Sequence, residues 1–316
     1  MSDSDVLFLI LAAIYLSECI LWVPREAAAF LAPFGRRAHL RRPSFTLGWS
    51  GTGPLLRNPL PPLGFAALCA SGSGGARAAT APAAAPPGSR LDAEAVTARV
   101  EEYRSRSAAL RVLCNLLFLS MFVLAPALVR WQGLGRWWAP LLAALVLLMA
   151  ATLFAYRRAH GALYPGQSAE RRKRIAALVF SPPAVARAHD ALARDLLAPF
   201  HPLAAAAALS PREEFLDLAR RALVDARAAA PGAAAGDASG AAGWGGAWPG
   251  KKTAPGPSVG EIEALVRRAG ARPEELLAPP ARPEAHARSY CPRCHCQYTF
   301  PAGACADCGG LGLQPL

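Results

Sequence analysis

Charge is what this sequence has little of. Asp, Glu, Lys and Arg make 18% of its 316 residues, against roughly 25% in an average soluble domain. The short signatures of common enzyme classes are missing too. There is no GxSxG elbow, no phosphate loop, no dinucleotide fingerprint and no HExxH helix, so hydrolase, NTPase, dehydrogenase and zinc-protease readings have no support. The Gly-rich stretch 243–250 sits in low-complexity sequence and matches none of them. A disulfide framework is also lacking. Cys19, Cys69 and Cys114 are scattered, while five of the eight Cys crowd into the last 26 residues, a distribution that points to metal.

Three segments hold most of the large apolar residues: 6–23, 112–129 and 137–156. Eighteen helical residues rise about 27 Å, close to the thickness of a bilayer core. These segments predict an α-helical membrane protein with three transmembrane helices. The first reads as an uncleaved anchor. It has no basic residues before it, and Arg25 follows directly, where a cleavage site needs small residues. The second and third form a hairpin, with Pro126 and Pro140 near its closed end and Trp131, Trp137 and Trp138 at one level as an interfacial belt.

The formal net charge of +12 would suggest nucleic acid in a soluble protein. Here the basic residues flank the spans. Arg25, Arg36, Arg37, Arg41 and Arg42 follow the first, and Arg99, Arg104, Arg106 and Arg111 precede the second. Arg157, Arg158, Arg171, Arg172, Lys173 and Arg174 follow the third, whereas the hairpin link has only Arg130 and Arg136. Every flank agrees with one topology in a cell inner membrane: N-terminus outside, C-terminus cytoplasmic. Glu18 and Asn115 interrupt the apolar runs near the inner surface. A carboxylate there needs a partner, and Arg111 is the expected one, in a clasp that also takes in Asn115.

Between the spans, residues 24–42 read as an amphipathic basic stretch on the inner membrane face. Residues 44–70 read as a possible small β unit, and 71–88 as linker; together these make a cytoplasmic segment over 24–88. Residues 58–63 (NPLPPL) read as a rigid turn in preference to a polyproline ligand. Residues 89–156 combine an amphipathic helix bearing Val96, Val100 and Tyr103 with the hairpin, and the helix is expected to run unbroken into the second span.

Residues 168–228 read as a cytoplasmic helical unit, with helix starts at Ser181-Pro182 and Ser210-Pro211-Arg212-Glu213. Their apolar stripes are Val185, Ala188, Leu192 and Leu196, then Phe215, Leu218, Ala219, Ala222 and Leu223. His189 and His201 lie in this unit without a second ligand at metal spacing. Residues 229–257 are a flexible linker, and 258–289 hold short helices opened by the capping box Ser258–Glu261.

The most specific signal is the end of the chain. Cys291-Pro292-Arg293-Cys294 and Cys305-Ala306-Asp307-Cys308 are two CxxC knuckles ten residues apart. Four thiolates in this spacing suit one tetrahedral ion, and Zn²⁺ fits. A segment this short buries little, so the metal must supply most of its folding energy. A redox dithiol is the alternative for a lone CxxC, but two knuckles favour metal. Cys296 is an extra thiol that can compete. This segment, 290–316, resembles the small four-Cys zinc ribbons appended to bacterial proteins, with Tyr298, Gly303, Asp307 and Leu311 or Leu313 in the pattern and His295 where such ribbons often carry Gly. The resemblance implies a C-terminal zinc-ribbon knuckle pair holding Zn²⁺ on Cys291, Cys294, Cys305 and Cys308, and no chemistry. The rest of the chain, with its NPLPPLG stretch at 58–64, resembles bacterial membrane proteins to which no activity is attached.

The function expected is that of a membrane-anchored interaction or scaffolding protein, held in the lipid bilayer and recruiting a cytosolic protein partner. The alternative is a membrane enzyme or transporter subunit using Glu18, Arg111 and Asn115, which with so few spans requires a homo-oligomer. Nucleic acid is disfavoured as a partner, because Arg293 is the one basic residue of the ribbon.

Overall fold

The computed structural model describes residues 3–24, 27–32, 37–41, 52–56, 64–70, 90–132, 135, 137–228, 257–280, 284–308 and 311–316. The expected linker 71–88, all but the last residue of the expected linker 229–257, the proline run 58–63, and Arg25, Arg36, Arg42 and Arg136 lie outside them.

The first apolar segment divides. Helix α1 covers Asp3–Glu18, and the chain then extends as strand β1, Ile20–Pro24. The expected span at 6–23 is therefore helical only as far as Glu18. Its last residues, branched, aromatic and ending in proline, suit a pleated strand better than a helix. They pair antiparallel with β4, Thr52–Leu56. Residues 27–32 and 39–41 also depart from the amphipathic reading. They form strands β2, Ala27–Ala32, and β3, His39–Arg41. With β5, Phe65–Ala70, they make a three-stranded antiparallel sheet of order β3-β2-β5.

Alternation along β2 explains how this sheet is used. Ala28, Phe30 and Ala32 turn into the main core, while Ala29 joins Leu21, Val23, Ala66 and Leu68 in a second cluster. Both faces are covered, so a stretch of small residues that lacks the polar alternation of a half-exposed strand still forms one.

Helix α2, Ala93–Arg106, is capped by Asp92, which accepts from Glu94 N and Ala95 N. Its buried residues are Val96, Val100 and Tyr103. It breaks at Ser107 before α3, Ala108–Leu119. The second apolar helix then continues through a π-helical turn, Ser120–Leu124, into α4, Ala125–Gln132. Pro126 accounts for that turn. It cannot donate to the carbonyl four residues back and crowds it, and the helix widens just ahead, where Ala125 N reaches Ser120 O. Helix α5 covers Trp138–Leu163. Among the described residues two helices, Ala108–Gln132 and Trp138–Leu163, are long and apolar enough to cross a membrane, not three.

The remaining helices are α6 (Ser168–Val179), α7 (Pro182–Val185), α8 (Ala188–Ala193), α9 (Pro202–Leu209), α10 (Arg212–Ala228), α11 (Val259–Arg268) and α12 (Pro273–Leu277). The stripes Val185, Ala188, Leu192, Leu196 and Phe215, Leu218, Ala219, Leu223 are buried in one core with α2 and the sheet. Neither expected serine cap forms as drawn. Ser181 makes no cap bond and its Oγ lies 3.5 Å from Glu18 Oε1. Ser210 Oγ has no hydrogen-bond partner among the described residues. The capping box at Ser258 does form, with Glu261 N on Ser258 Oγ at 3.3 Å and Ser258 N on Glu261 Oε2 at 2.8 Å.

Backbone bonds tie the sheet to the helices. Leu68 N donates to Arg194 O at 2.8 Å, Ala38 N to Leu209 O at 2.8 Å, and His189 Nε2 lies 3.0 Å from Gly64 O. His189 is thus a buried strut, in keeping with its lack of ligand spacing.

At the C-terminal end of α1 the docking cation is not Arg111 but Arg187, from the turn between α7 and α8. Its Nη1 donates to Tyr15 OH at 3.2 Å and lies 3.3 Å from Cys19 Sγ, and its Nη2 donates to Asp190 Oδ2 at 2.5 Å. Both partners of the ion pair are only 5% exposed. Arg111 Nη2 instead sits 3.5 Å from Arg104 O, and Asn115 Oδ1 has no hydrogen-bond partner among the described residues. Tyr15 also stacks against Phe118 and Phe122 at 5.1 and 4.8 Å, which packs α1 on the second apolar helix. Removing one member of a buried pair leaves the other charge unanswered, at a cost of about 3–5 kcal/mol. Arg187→Ala should therefore lower stability by about that much, read as a fall in the thermal midpoint of the detergent-solubilised chain. A change under about 1 kcal/mol would show that the pair is not a foundation of the fold.

His201 begins α9 by accepting from Leu203 N on Nδ1 at 3.3 Å. Burial first, then the Arg90 charge, holds its imidazole down to about 4. The folded state thus binds the proton less tightly than the unfolded chain. Stability from this group is full above about 6.5, is lost as pH falls towards about 4, and amounts to roughly 3 kcal/mol at most. His201→Asn keeps a capping acceptor without the titration, so the drop in melting temperature between pH 7 and pH 4.5 should shrink in that variant.

Candidate metal centre

The last 30 or so residues fold on very short strands. Strand β6, Ser289–Tyr290, pairs with β7, Gln297–Tyr298, and with β10, Gln314–Pro315. Strand β8, Ala304–Cys305, pairs with β9, Leu311–Gly312. Such two-residue ladders cannot carry a domain alone. Side-chain bonds add to them: Tyr290 OH donates to Gln314 Oε1 at 2.9 Å, and Ser289 Oγ to Phe300 O at 2.6 Å. Gly303 has φ of +149° and its carbonyl accepts from Leu313 N at 3.0 Å, so the turn before β8 needs a glycine.

The first knuckle is the turn between β6 and β7. His295 N donates to Cys291 O at 2.8 Å and Cys291 N to Cys296 O at 2.9 Å. Closing that turn puts His295 at φ +59°, the left-handed region. This is the physical reason a glycine is favoured at this place in the pattern. Here a histidine takes it, and two contacts hold its ring: an edge-on approach to Tyr290 at 5.8 Å, and Arg220 Nη1 at 3.2 Å from Nδ1. A guanidinium only donates, so Nδ1 is the acceptor. Burial, then the Arg220 charge, keeps the imidazole below its usual range.

The Sγ atoms of Cys291, Cys294, Cys305 and Cys308 all lie within 4.8 Å of one another, a group that could hold a metal ion. The Cys294–Cys305 pair stands at 3.7 Å, close to the roughly 3.8 Å between thiolates in a tetrahedron with bonds of about 2.3 Å. Cys291 and Cys305 are buried, and Cys294 and Cys308 half-buried. Cys296 lies outside the group, exposed, with its Sγ 4.0 Å from Asp307 Oδ2. Metal binding needs thiolates, and Cys305 is disposed to become one. Burial opposes ionisation, but bonds from the Tyr298 hydroxyl, at 3.1 Å, and from the other thiols bring it down to about 7. Four thiols and no open position define a structural centre.

Sequence reasoning missed where this module sits. It docks on α10. Arg220 Nε donates to Arg293 O at 3.2 Å, and Arg293 Nη2 donates to Asp225 Oδ2 at 3.0 Å. Arg220 in turn pairs with Asp217. The spacing of Asp217, Arg220 and Asp225 along one helix was the only signal available, and it reads equally well as ordinary i,i+3 pairing.

Compared with known proteins, the chain matches no family model, no curated protein and no solved structure. The class of the centre therefore rests on its own geometry: a close four-cysteine group that could hold a metal ion, at the end of a mostly helical chain.

Arg220→Ala should leave the sulfur group intact but free the module from α10. Charge-assisted bonds of about 1.5–3 kcal/mol each imply roughly ten- to hundredfold faster amide exchange over 289–298. Unchanged exchange would mean that the strands, not Arg220, hold the module in place.

Proposed function

We propose that this protein is a membrane-anchored interaction protein whose cytosolic portion ends in a structural zinc ribbon. The observation that carries the reading is how little of the two long apolar helices the protein covers itself. In their most apolar windows 22% and 6% of the residues are buried. A core helix in a soluble protein would be buried by its neighbours, so these need a bilayer.

Three crossings remain the reading with α1 as the short third. Asp5 lines one cleft with Pro126, Val129 and Arg130, while Tyr15 meets Phe118 and Phe122. Helix α1 therefore accompanies the second span over most of its depth, from the hairpin end inward. Its 16 residues rise about 24 Å, short of a full bilayer core, and the strand that follows lies at the inner boundary. With three crossings and the Arg bias of the flanks, the N-terminus is outside and the C-terminal tail cytosolic.

Zinc is favoured for the four-cysteine centre because it takes closed tetrahedral thiolate sites and brings no redox change. In the reducing cytosol the thiols stay available for it. When bound, the ion would be held by Cys291, Cys294, Cys305 and Cys308 and would supply folding energy, with no substrate position. A closed centre fixes a surface, which suits recruitment of a cytosolic protein better than catalysis.

Two measurements decide the matter. Reporter fusions at residues 1 and 316 should read outside and inside; both ends on one side would end the three-span reading. The purified chain should carry about one zinc, and Cys308→Ser should weaken binding by at least about tenfold. A variant that keeps full affinity would remove the ribbon from the proposal.

A further inference from the structure

Helix α6 returns alongside α5. A Cβ placed on Gly161 would lie 2.8 Å from Arg171 Nη1, and Arg174 is the charged neighbour of Tyr156. As α6 advances from Arg171 to Arg174, it moves back along α5 from Gly161 to Tyr156, so the two run antiparallel. Phe180 lies six residues past Arg174, about 9 Å further, beside the apolar part of α5. Ser181 then meets Glu18, at the inner end of α1.

What α6 exposes there is unusual for a soluble helix end. Phe180 is 88% exposed and Val179 45%, with Pro182 exposed just beyond. About two turns back the same helix exposes Arg172 and Lys173, and α5 exposes Arg157 and Arg158. Of the acids in this neighbourhood, Glu170 and Asp195 both pair with Arg174, and the Glu18 carboxylate lies against Ser181 Oγ. The surface is thus an apolar tip backed by net positive charge, since Arg157, Arg158, Arg172 and Lys173 outnumber the acids near it among the described residues. It is continuous with the exposed apolar side of α5, where Leu147 is 71% and Phe154 68% exposed.

We propose that the corner between α6 and α7 is a binding surface for anionic phospholipid. Val179, Phe180 and Pro182 enter the boundary between headgroups and acyl chains. Arg172 and Lys173, with Arg157 and Arg158, hold the lipid phosphates of the inner leaflet. The apolar tip supplies depth, and the basic residues supply selectivity for negative headgroups. This rests on the reading of α5 as a membrane span. Its consequence is that the core behind α6, including the Arg187 anchor, is seated against the bilayer and senses its charge.

The test uses the full chain in nanodiscs of mixed phosphatidylglycerol and phosphatidylcholine. The photoreactive residue p-benzoylphenylalanine is placed at position 180, at 147 on α5, or at the exposed position 267 on α11. Lipid adducts are expected at 147 and 180 and not at 267. At 180 they should favour phosphatidylglycerol about fivefold, and the double variant R172E/K173E should abolish that preference while leaving the adduct at 147. Lipid at 147 but not at 180 overturns the proposal alone. Lipid at neither position overturns the membrane reading beneath it. A protein adduct at 180, or adducts there with no headgroup preference, also overturn it.

Discussion

A buried guanidinium is the constraint on which the rest of the described structure depends. Arg187 stands in the break between α7 and α8 and points inward, onto Tyr15, Cys19 and Asp190. Its plane also faces the Tyr15 ring at 5.6 Å. A charge so placed must be answered, and the answers come from the first helix, from the residue just after it and from its own turn. The consequence is geometric: the N-terminal helix cannot slide along the hairpin without exposing an unpaired charge in the core. The small sheet follows from this, because β1 leaves the end of α1 and lays Leu21 and Val23 on the second face of that sheet.

Docking of the metal centre obeys the same logic with weaker forces. The ribbon is too small to hold itself, yet it makes three polar bonds to α10 through Arg220, Arg293 and Asp225. One of these is aimed at His295, the residue in the left-handed turn of the first knuckle. The helix therefore touches the ribbon where its backbone is under most conformational demand. The cysteine group and the attachment to α10 share that turn, so the C-terminal module and the helical body are not independent beads on a string.

Legibility from sequence varied with the kind of signal. The stripes of α2, α10 and α11 were readable because an amphipathic helix repeats its apolar residues at a fixed spacing. The cysteine group was readable because metal ligation demands particular atoms at short range. The extent of the first apolar helix is not legible, because 6–23 is apolar almost throughout and hydropathy does not separate helix from strand. Residues 27–32 were misread for a related reason: a strand covered on both faces has no polar alternation to show. Helix α9, nearly all alanine and leucine, carries no stripe at all and was not anticipated.

The sequence by itself determined where apolar length, basic flanks and four close cysteines lie, since each is a property of neighbouring residues. The tertiary structure alone decided which charge answers which. Arg111 and Arg187 are indistinguishable as residues; their roles differ because the turn between α7 and α8 aims Arg187 at Tyr15, while Arg111 reaches back over the Ser107 break to the Arg104 carbonyl. In the same way Arg220 pairs with Asp217 within its own helix, and only the folded chain brings Arg293 and His295 to it. Long-range partners are chosen by packing, and packing is a property of the whole chain.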